Sequence, residues 1–347
     1  MPILYPSSYS AENQTMNRAA HMKCYVCNET ITPLLIMKNL RNDWDIKRCP
    51  ACDLTFVDPQ PDSATISAYY NGMYYELTDT YDATKMASIR VAIHRYVASL
   101  KKYTKVHGHP TLLDVGGGLG YYAKGFSEAG FAVTFLEQDP VSVNFARTVL
   151  KLPHIIEMSA DQFFKSNTTK FDLIFLRHVI EHAPNPGLLI QQVENCLHEG
   201  GILVIETDNN AGIEILFRPG TAKFYLALYK KSFAPSSFFS LLARRPFAVD
   251  PPRHLFGFRI SNLSMLLKRN SLFPLESTCY RLGHPVYWAN MPLPKMRDMA
   301  LNLRHGRFSK VIASIADVVL TPFRRCLEYF GLASGICIYA VKRQGAK

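Results

Sequence analysis

The sequence lacks any apolar run of the roughly 18 residues that a membrane-spanning helix needs, and residues 1–22 hold no apolar core of the kind a secretory signal carries. A soluble, cytoplasmic protein is the expectation, with the Ser-, Asn- and Ala-rich stretch 1–22 loosely ordered. No internal repeat or long low-complexity tract is present. Acid is in short supply: 28 Asp and Glu against 39 Lys and Arg leave a formal net charge of +11. That balance favours anionic partners such as nucleotide sugars, phospholipid surfaces or nucleic acid, without choosing among them. Against these absences stand 347 residues with 48% apolar composition, enough for a sizeable core and two or three modules. Cys196, Cys279, Cys326 and Cys337 lie far apart in apolar contexts and read as core residues.

Residues 111–120, Thr-Leu-Leu-Asp-Val-Gly-Gly-Gly-Leu-Gly, describe a short apolar strand, Leu112 to Val115, and a glycine turn into a helix near Tyr121. A second strand, 131–136, ends at Glu137. Together they outline one nucleotide-type cofactor pocket. A dinucleotide is the first candidate, since its fingerprint also pairs a glycine turn with an acid about 20 residues on. Two details oppose it. A G-x-G-x-x-G pattern needs glycine where Tyr121 stands, and Asp114 puts a carboxylate where a pyrophosphate would lie. A sulfonium and an ammonium, by contrast, are stabilised by that acid, while Glu137 accepts from ribose hydroxyls. These are the charges of S-adenosylmethionine (SAM).

The pattern Asp114-x-Gly116-x-Gly118-x-Gly120 followed by Glu137 resembles the class I SAM-dependent methyltransferases. Three further segments keep the family's order. Residues 171–182, Phe-Asp-Leu-Ile-Phe-Leu-Arg-His-Val-Ile-Glu-His, resemble its FD-(apolar)-HVLEH strand and loop, with Pro184 and Pro186 behind. A helix over 188–197 is stopped by Glu199-Gly200-Gly201 before strand five at 202–205, and 336–341 reads as a last strand. The resemblance covers about 105–283 and 334–342. It implies an α/β fold, a Rossmann-like, seven-stranded doubly wound sheet, with Asp114, Gly116, Gly118, Gly120, Glu137, Asp161 and His178 around the cofactor. Asp161 follows a third strand at 154–157, where the family commonly contacts adenine; Ser159 and Ala160 are the other positions that align there.

Two CxxC pairs, Cys24/Cys27 and Cys49/Cys52, are separated by twenty-one residues. Pairs at this separation converge on one tetrahedral, structural Zn²⁺, each knuckle supplying two thiolates. A redox CxxC would open a helix in a βαβ setting, which is absent here. The ribbon, the exit Phe56-Val57-x-Pro59-x-Pro61 and the tyrosines that follow resemble the N-terminal module of a bacterial subset that includes nucleotide-sugar C-methyltransferases. In that subset the tyrosine segment overlies the cofactor, which implies Tyr69, Tyr70, Tyr74 or Tyr75 near the reacting methyl. Tyr75 is therefore a catalytic candidate beside His254 and His178.

The expected organisation is a loose N-terminus (1–22), a zinc ribbon (23–58), a helical linker or lid (59–105), a SAM-binding core (106–283) with an insertion at 211–249, an amphipathic helical insertion (284–333) and a final strand with tail (334–347). Residues 85–103 carry apolar residues at helical spacing, the resemblance to the subset implies a helix at 261–269 after the His254 segment, and a sixth strand is expected at 275–282. Phe308, Val311, Ile312, Ile315, Val318 and Val319 form a stripe flanked by Arg304, Arg307, Lys310, Arg324 and Arg325. Such a stripe packs on its own protein as a lid or dimer surface, or lies peripherally on an anionic membrane through 304–330.

If the acceptor is a hydroxyl or carbon acid, a base is needed. Histidine titrates near neutrality, and His254, within the subset's acceptor-side H-L-x-x-F segment, comes first, then His178. Glu181 and His182 are expected to shape the loop. The subset's sugar enzymes carry a further C-terminal domain that this sequence does not show, so the acceptor stays open among a sugar, a natural product and a lipid head group, with O- or C-methylation. A nucleic-acid methyltransferase is the alternative, but Arg177-His178-Val179 stands where amine methylation wants an (N/D)-P-P-(Y/F) turn. A non-catalytic scaffold of the same fold is the third reading.

Overall fold

The computed structural model describes residues 21–40, 44–71, 80–103, 108–213, 248–280, 322–323 and 325–343. Tyr74, Tyr75 and most of the 211–249 and 284–333 insertions lie outside these residues.

The N-terminal part is a small antiparallel unit. Met22–Lys23 (β1) pairs with Thr30–Ile31 (β2), and Leu34–Leu40 (β3), Trp44–Arg48 (β4) and Thr55–Asp58 (β5) form a meander. Ser63–Asn71 (α1) and Ala83–Tyr103 (α2) lead into the core. On α2 the apolar spacing noted above becomes one buried face of Met86, Ile89, Ile93, Tyr96 and Leu100. Burying each large aliphatic residue there contributes roughly 1.5–3 kcal/mol. The face lies over Thr111–Val115 (β6) and Tyr121–Glu128 (α3), where a methyl on Gly125 would stand 2.7 Å from Ile93.

The core strands follow as Ala132–Glu137 (β7), Ile155–Glu157 (β8), Phe171–Arg177 (β9), Leu197–Asp208 (β10), Phe256–Gly257 (β11), Leu272–Tyr280 (β12) and Gly335–Lys342 (β13). One seven-stranded sheet has the order β12-β13-β10-β9-β6-β7-β8, with β10, β9, β6, β7 and β8 parallel and β13 antiparallel to both neighbours. The chain order reverses between β6 and β9, and ligands bind at the carboxyl ends of strands at such a switch. The near-continuous apolar runs of β6 and β9 are what a parallel strand covered on both faces requires. Crossover helices are Pro140–Thr148 (α4), Ala160–Ser166 (α5), Pro186–Asn195 (α6) and Ile260–Arg269 (α7). Their starts are fixed locally: Asp139 caps α4, Ser159 and Gln162 form a capping box on α5, and Asn185 caps α6 with Pro186 at its first position.

Two boundaries differ from expectation for physical reasons. Helix α6 stops at Asn195 and β10 starts at Leu197, so Glu199-Gly200-Gly201 sits within the strand as a register shift rather than ahead of it. Gly200 has φ +76°, and a side chain on Gly201 would stand 2.8 Å from the His198 carbonyl, so both glycines serve the irregularity. Strand β12 begins three residues early, with its own register shift at Pro274. Of the scattered cysteines, Cys196 and Cys337 are buried and Cys279 is half-buried, but Cys326 is exposed and not a core residue.

The N-terminal unit is welded to the core. Core strand β11 pairs with β5 and completes the meander's sheet, Tyr25 packs edge-on against Phe56 and Phe256, and Asn262 and Arg269 of α7 donate to the Cys52 and Val26 carbonyls.

Candidate active site

The glycine loop closes one end of β6. Gly116, Gly118 and Gly120 all have positive φ, +60°, +57° and +82°, a conformation that a Cβ would strain. Gly117 went unmarked in the sequence, yet a methyl there would stand 2.5 Å from Asp114 Oδ2 and 2.6 Å from Phe135. The loop thus wraps a carboxylate. Asp114 is 1% exposed, and its Oδ2 has no hydrogen-bond partner among the described residues. Burial, and then the Glu137 charge, push its carboxyl up to about 7. A buried acid oxygen that lacks a donor fits a ligand that brings positive charge.

Glu137 ends β7 and ties the two strand ends together. Its Oε2 accepts from the Gly118 N–H at 2.8 Å, and its Oε1 from the N–H groups of Gln138 and Asp139 at 2.7 and 3.0 Å. Carboxylate lone pairs remain for ribose hydroxyls. Tyr121, which occupies the dinucleotide glycine position, is buried against Phe145 with rings 5.7 Å apart. Asp161 lies in the first turn of α5, and its exposed carboxylate meets Lys165 one turn along the helix at 2.6 Å.

The loop after β9 faces the glycines. Val179 lies 3.1 Å from where a Gly116 methyl would be, so His178 is beside the cofactor loop. His178 has φ +53°, rare for a residue with a side chain. Its Nδ1 is 2.9 Å from Glu181 Oε1 and 3.4 Å from Asp208 Oδ1. Burial opposes the imidazolium, but the hydrogen bond and charge of Glu181 outweigh it and hold the His178 pKa above its ordinary value. Glu181 is fully buried; burial would raise it, yet the His178 hydrogen bond and the charges of the surrounding histidines bring it down to about 2. Asp208, unmarked in the sequence, is pushed up to about 6 by burial and also reaches His254 Nδ1 at 3.4 Å. His254 is 8% exposed, and burial lowers it to about 3.

Under this cluster lies a second charge pair that the sequence did not disclose. Glu206, 1% exposed, meets Arg177 at 3.2 Å and accepts from the hydroxyls of Tyr96 and Tyr280, while Arg177 lies over the Tyr122 ring at 4.6 Å. The Glu206 carbonyl also accepts the His178 N–H at 2.9 Å, fixing the backbone of the histidine.

A family model described as a methyltransferase domain matches residues 86–270. The chain belongs to this family, as a class I SAM-dependent methyltransferase. Among curated relatives, a ubiquinone biosynthesis O-methyltransferase of Caulobacter vibrioides is 28% identical over 182 residues, covering 46% of this chain and 67% of that protein. One of Glaesserella parasuis is 30% identical over 125 residues, covering 34% of this chain and 49% of that protein. The chain therefore spans between about half and two thirds of these relatives. A Burkholderia thailandensis 1,6-didemethyltoxoflavin-N1-methyltransferase aligns at 15% identity and TM-score 0.43, over 90% of this chain and 99% of that one.

In this methyltransferase the loop around Asp114 leaves no room for a methyl group. Gly117→Ala is expected to cost about 1–3 kcal/mol of stability and to weaken SAM binding, because the Asp114 carboxylate must move. Thermal melting with and without SAM checks both; a parent-like thermal shift would contradict the packing argument.

The ribbon cysteines also converge. Each knuckle closes the same way: the Cys24 and Cys49 carbonyls accept from Asn28 and Asp53, both with left-handed φ, and Val26 and Cys52 direct N–H groups at the first sulfur of their pair. The Sγ atoms of Cys24 and Cys52 are 3.6 Å apart, those of Cys27 and Cys49 3.7 Å, and all four lie within 4.8 Å of one another. Thiolates at about 2.3 Å around a tetrahedral ion sit about 3.8 Å apart, so the donor set fits zinc. Among the described residues no helix is long and apolar enough to cross a membrane.

Proposed function

We propose that the chain transfers the SAM methyl group to a hydroxyl of a small-molecule acceptor, with His178 as the base and Glu181 as its orienting partner. The observation that carries this reading is the His178–Glu181 hydrogen bond on a strained turn beside the glycine loop. The names of the two relatives, O-methyltransferases of ubiquinone biosynthesis, favour an oxygen acceptor over carbon. When bound, SAM supplies an electrophilic methyl on a sulfonium. In the proposed arrangement Asp114 stabilises the positive end, Glu137 holds the ribose and the Gly116–Gly120 turn lets the backbone approach. Asp161, or Ser159 or Ala160 beside it, keeps its reading at the adenine.

Ionised Glu181 stabilises the imidazolium that forms when His178 accepts the hydroxyl proton at Nε2. His254, the first choice on sequence, is a weak base in its buried setting. The Tyr69 to Tyr75 segment keeps its reading as a cover over the cofactor, with Tyr75 a catalytic candidate, and the 304–330 stripe its readings as lid, dimer surface or membrane contact. The ribbon at 23–58 is proposed to hold structural zinc and to brace the acceptor-side segment through β11, within the domain division set out above.

A SAM-consumption screen against phenols, nucleotide sugars and lipid extracts tests the acceptor. Turnover with phenolic hydroxyls is expected; turnover confined to carbon or amine acceptors would contradict the reading. For the ribbon, elemental analysis should find zinc in the purified protein, and Cys49→Ser should release it and lower the melting temperature. Metal-free protein with a parent-like melt would remove zinc from the account.

A further inference from the structure

A second carboxylate faces the proposed base, and the mechanism above makes no use of it. Asp208 ends β10, two positions beyond Glu206 and so on the same face of the strand. Its backbone is held from both sides: Asp208 pairs with Gly335 of β13, and the side chain of Asn209 next to it donates to the Gly331 and Ala333 carbonyls. The two oxygens of this half-buried acid meet different rings, Oδ1 lying 3.4 Å from His178 Nδ1 and Oδ2 3.4 Å from His254 Nδ1.

His178 Nδ1 therefore faces two acids, Glu181 at 2.9 Å and Asp208 at 3.4 Å. An oxygen of Glu181 and one of Asp208 lie within 4.8 Å of each other. Two carboxylates this close repel when both are ionised, and a cation beside them offsets that cost. The groups that face Asp208 from its neighbours are Arg177 and His178 at the end of β9, Glu181 in the turn, Arg253 and His254 in the 250–254 loop and Tyr280 at the end of β12, with His182 beside Glu181. Arg177 meets Glu206 at 3.2 Å and Arg253 meets Asp250 at 3.5 Å, while burial holds His254 down at about 3 and so neutral near pH 7. The charge that comes and goes against Asp208 near neutrality is that of His178.

We propose that Asp208 is a positioning residue for His178: together with Glu181 it brackets the imidazole at Nδ1, stabilises the imidazolium, and through His254 ties the 250–254 loop to the base. Asp208 is ionised above about pH 6, so its support for the imidazolium is present at neutral pH and is lost as the pH falls through that value. Its service to catalysis rests on the assignment of His178 as the base; the coupling of the two side chains does not.

The test is a histidine-ring NMR titration of zinc-replete, ¹⁵N-histidine-labelled protein without acceptor, the His178 signal being identified by its absence from His178→Gln. Asp208→Asn is expected to bring the midpoint of the His178 titration down by about one pH unit, whereas Asp208→Glu, which keeps the charge, should hold it within about 0.3 of the parent. SAM calorimetry and thermal melting report folding, and Asp208→Ala serves in place of an Asn variant that does not fold. The proposal is overturned if a folded, uncharged variant leaves the midpoint where the parent has it, or if Asp208→Glu titrates like Asp208→Asn. On a phenolic acceptor, Asp208→Asn should lower kcat about tenfold and move the acid limb of kcat/KM to lower pH by the same amount as the midpoint. A packing defect would slow turnover at every pH and leave the limb in place. A moved midpoint with an unmoved limb would instead remove His178 as the base and leave the Asp208–His178 pair standing.

Discussion

His178→Ala is expected to lower kcat on the accepted substrate by about 10²–10⁴-fold and to leave the SAM dissociation constant within about twofold of the parent. The chain of cause begins in the backbone. His178 is held in a left-handed conformation at the end of β9, its N–H on the Glu206 carbonyl and its Nδ1 on Glu181. Glu181 is itself immobile, fully buried in the turn that follows. The imidazole is therefore preorganised with one nitrogen occupied and the other left for an acceptor proton. Removing the ring takes away the proton acceptor and leaves Asp114, Glu137 and the Gly116–Gly120 turn in place to hold SAM. Glu181→Gln should produce a smaller loss, since the ring stays but its imidazolium is no longer stabilised by charge. Single-turnover rates and SAM calorimetry measure the two quantities separately. Turnover of His178→Ala within a few-fold of the parent would remove His178 as the base.

The second large effect belongs to the cofactor side. Asp114→Asn keeps the shape of the side chain but removes the charge that the loop encloses, and SAM affinity should fall by about tenfold or more. The same carboxyl makes affinity depend on pH. In the cofactor-free protein it titrates at about 7, whereas a bound sulfonium and ammonium favour the ionised form. SAM affinity should then rise roughly tenfold between about pH 6 and pH 8 and level off above, and the rise should vanish in Asp114→Asn. Stability moves the other way. An acid held at about 7 in the fold against an ordinary 3.8 keeps its proton more tightly folded than unfolded, so this group's contribution falls as pH climbs between those values. The thermal shift produced by SAM should consequently be larger at about pH 8 than at about pH 6.

Much of this was legible in residue order because parallel strands and tight turns leave local marks. The runs before Asp114 and Arg177, the three spaced glycines and Glu137 follow from requirements met within a few residues. The capping residues Asp139, Ser159 and Asn185 mark helix starts equally locally. What the sequence concealed depends on distant pairing. Asp208 touches His178 and His254 only because β10 lies beside β9 and the 250–254 loop folds back over both. Glu206 finds Tyr96 across 110 positions of chain. The ranking of His254 above His178 came from motif position alone; the two differ because Glu181 bonds His178, whereas the burial of His254 outweighs the charge of Glu181 nearby. The union of ribbon and core through β11 and β5 was likewise invisible in two separate motifs.

The most direct test of the cofactor assignment is calorimetric titration of the zinc-replete parent with SAM and, separately, with NAD, at about pH 8. A single saturable site for SAM, weakened in Asp114→Asn, with no heat from NAD, is the predicted result. Saturable binding of NAD, or a SAM site untouched by the loss of the Asp114 charge, would contradict the account.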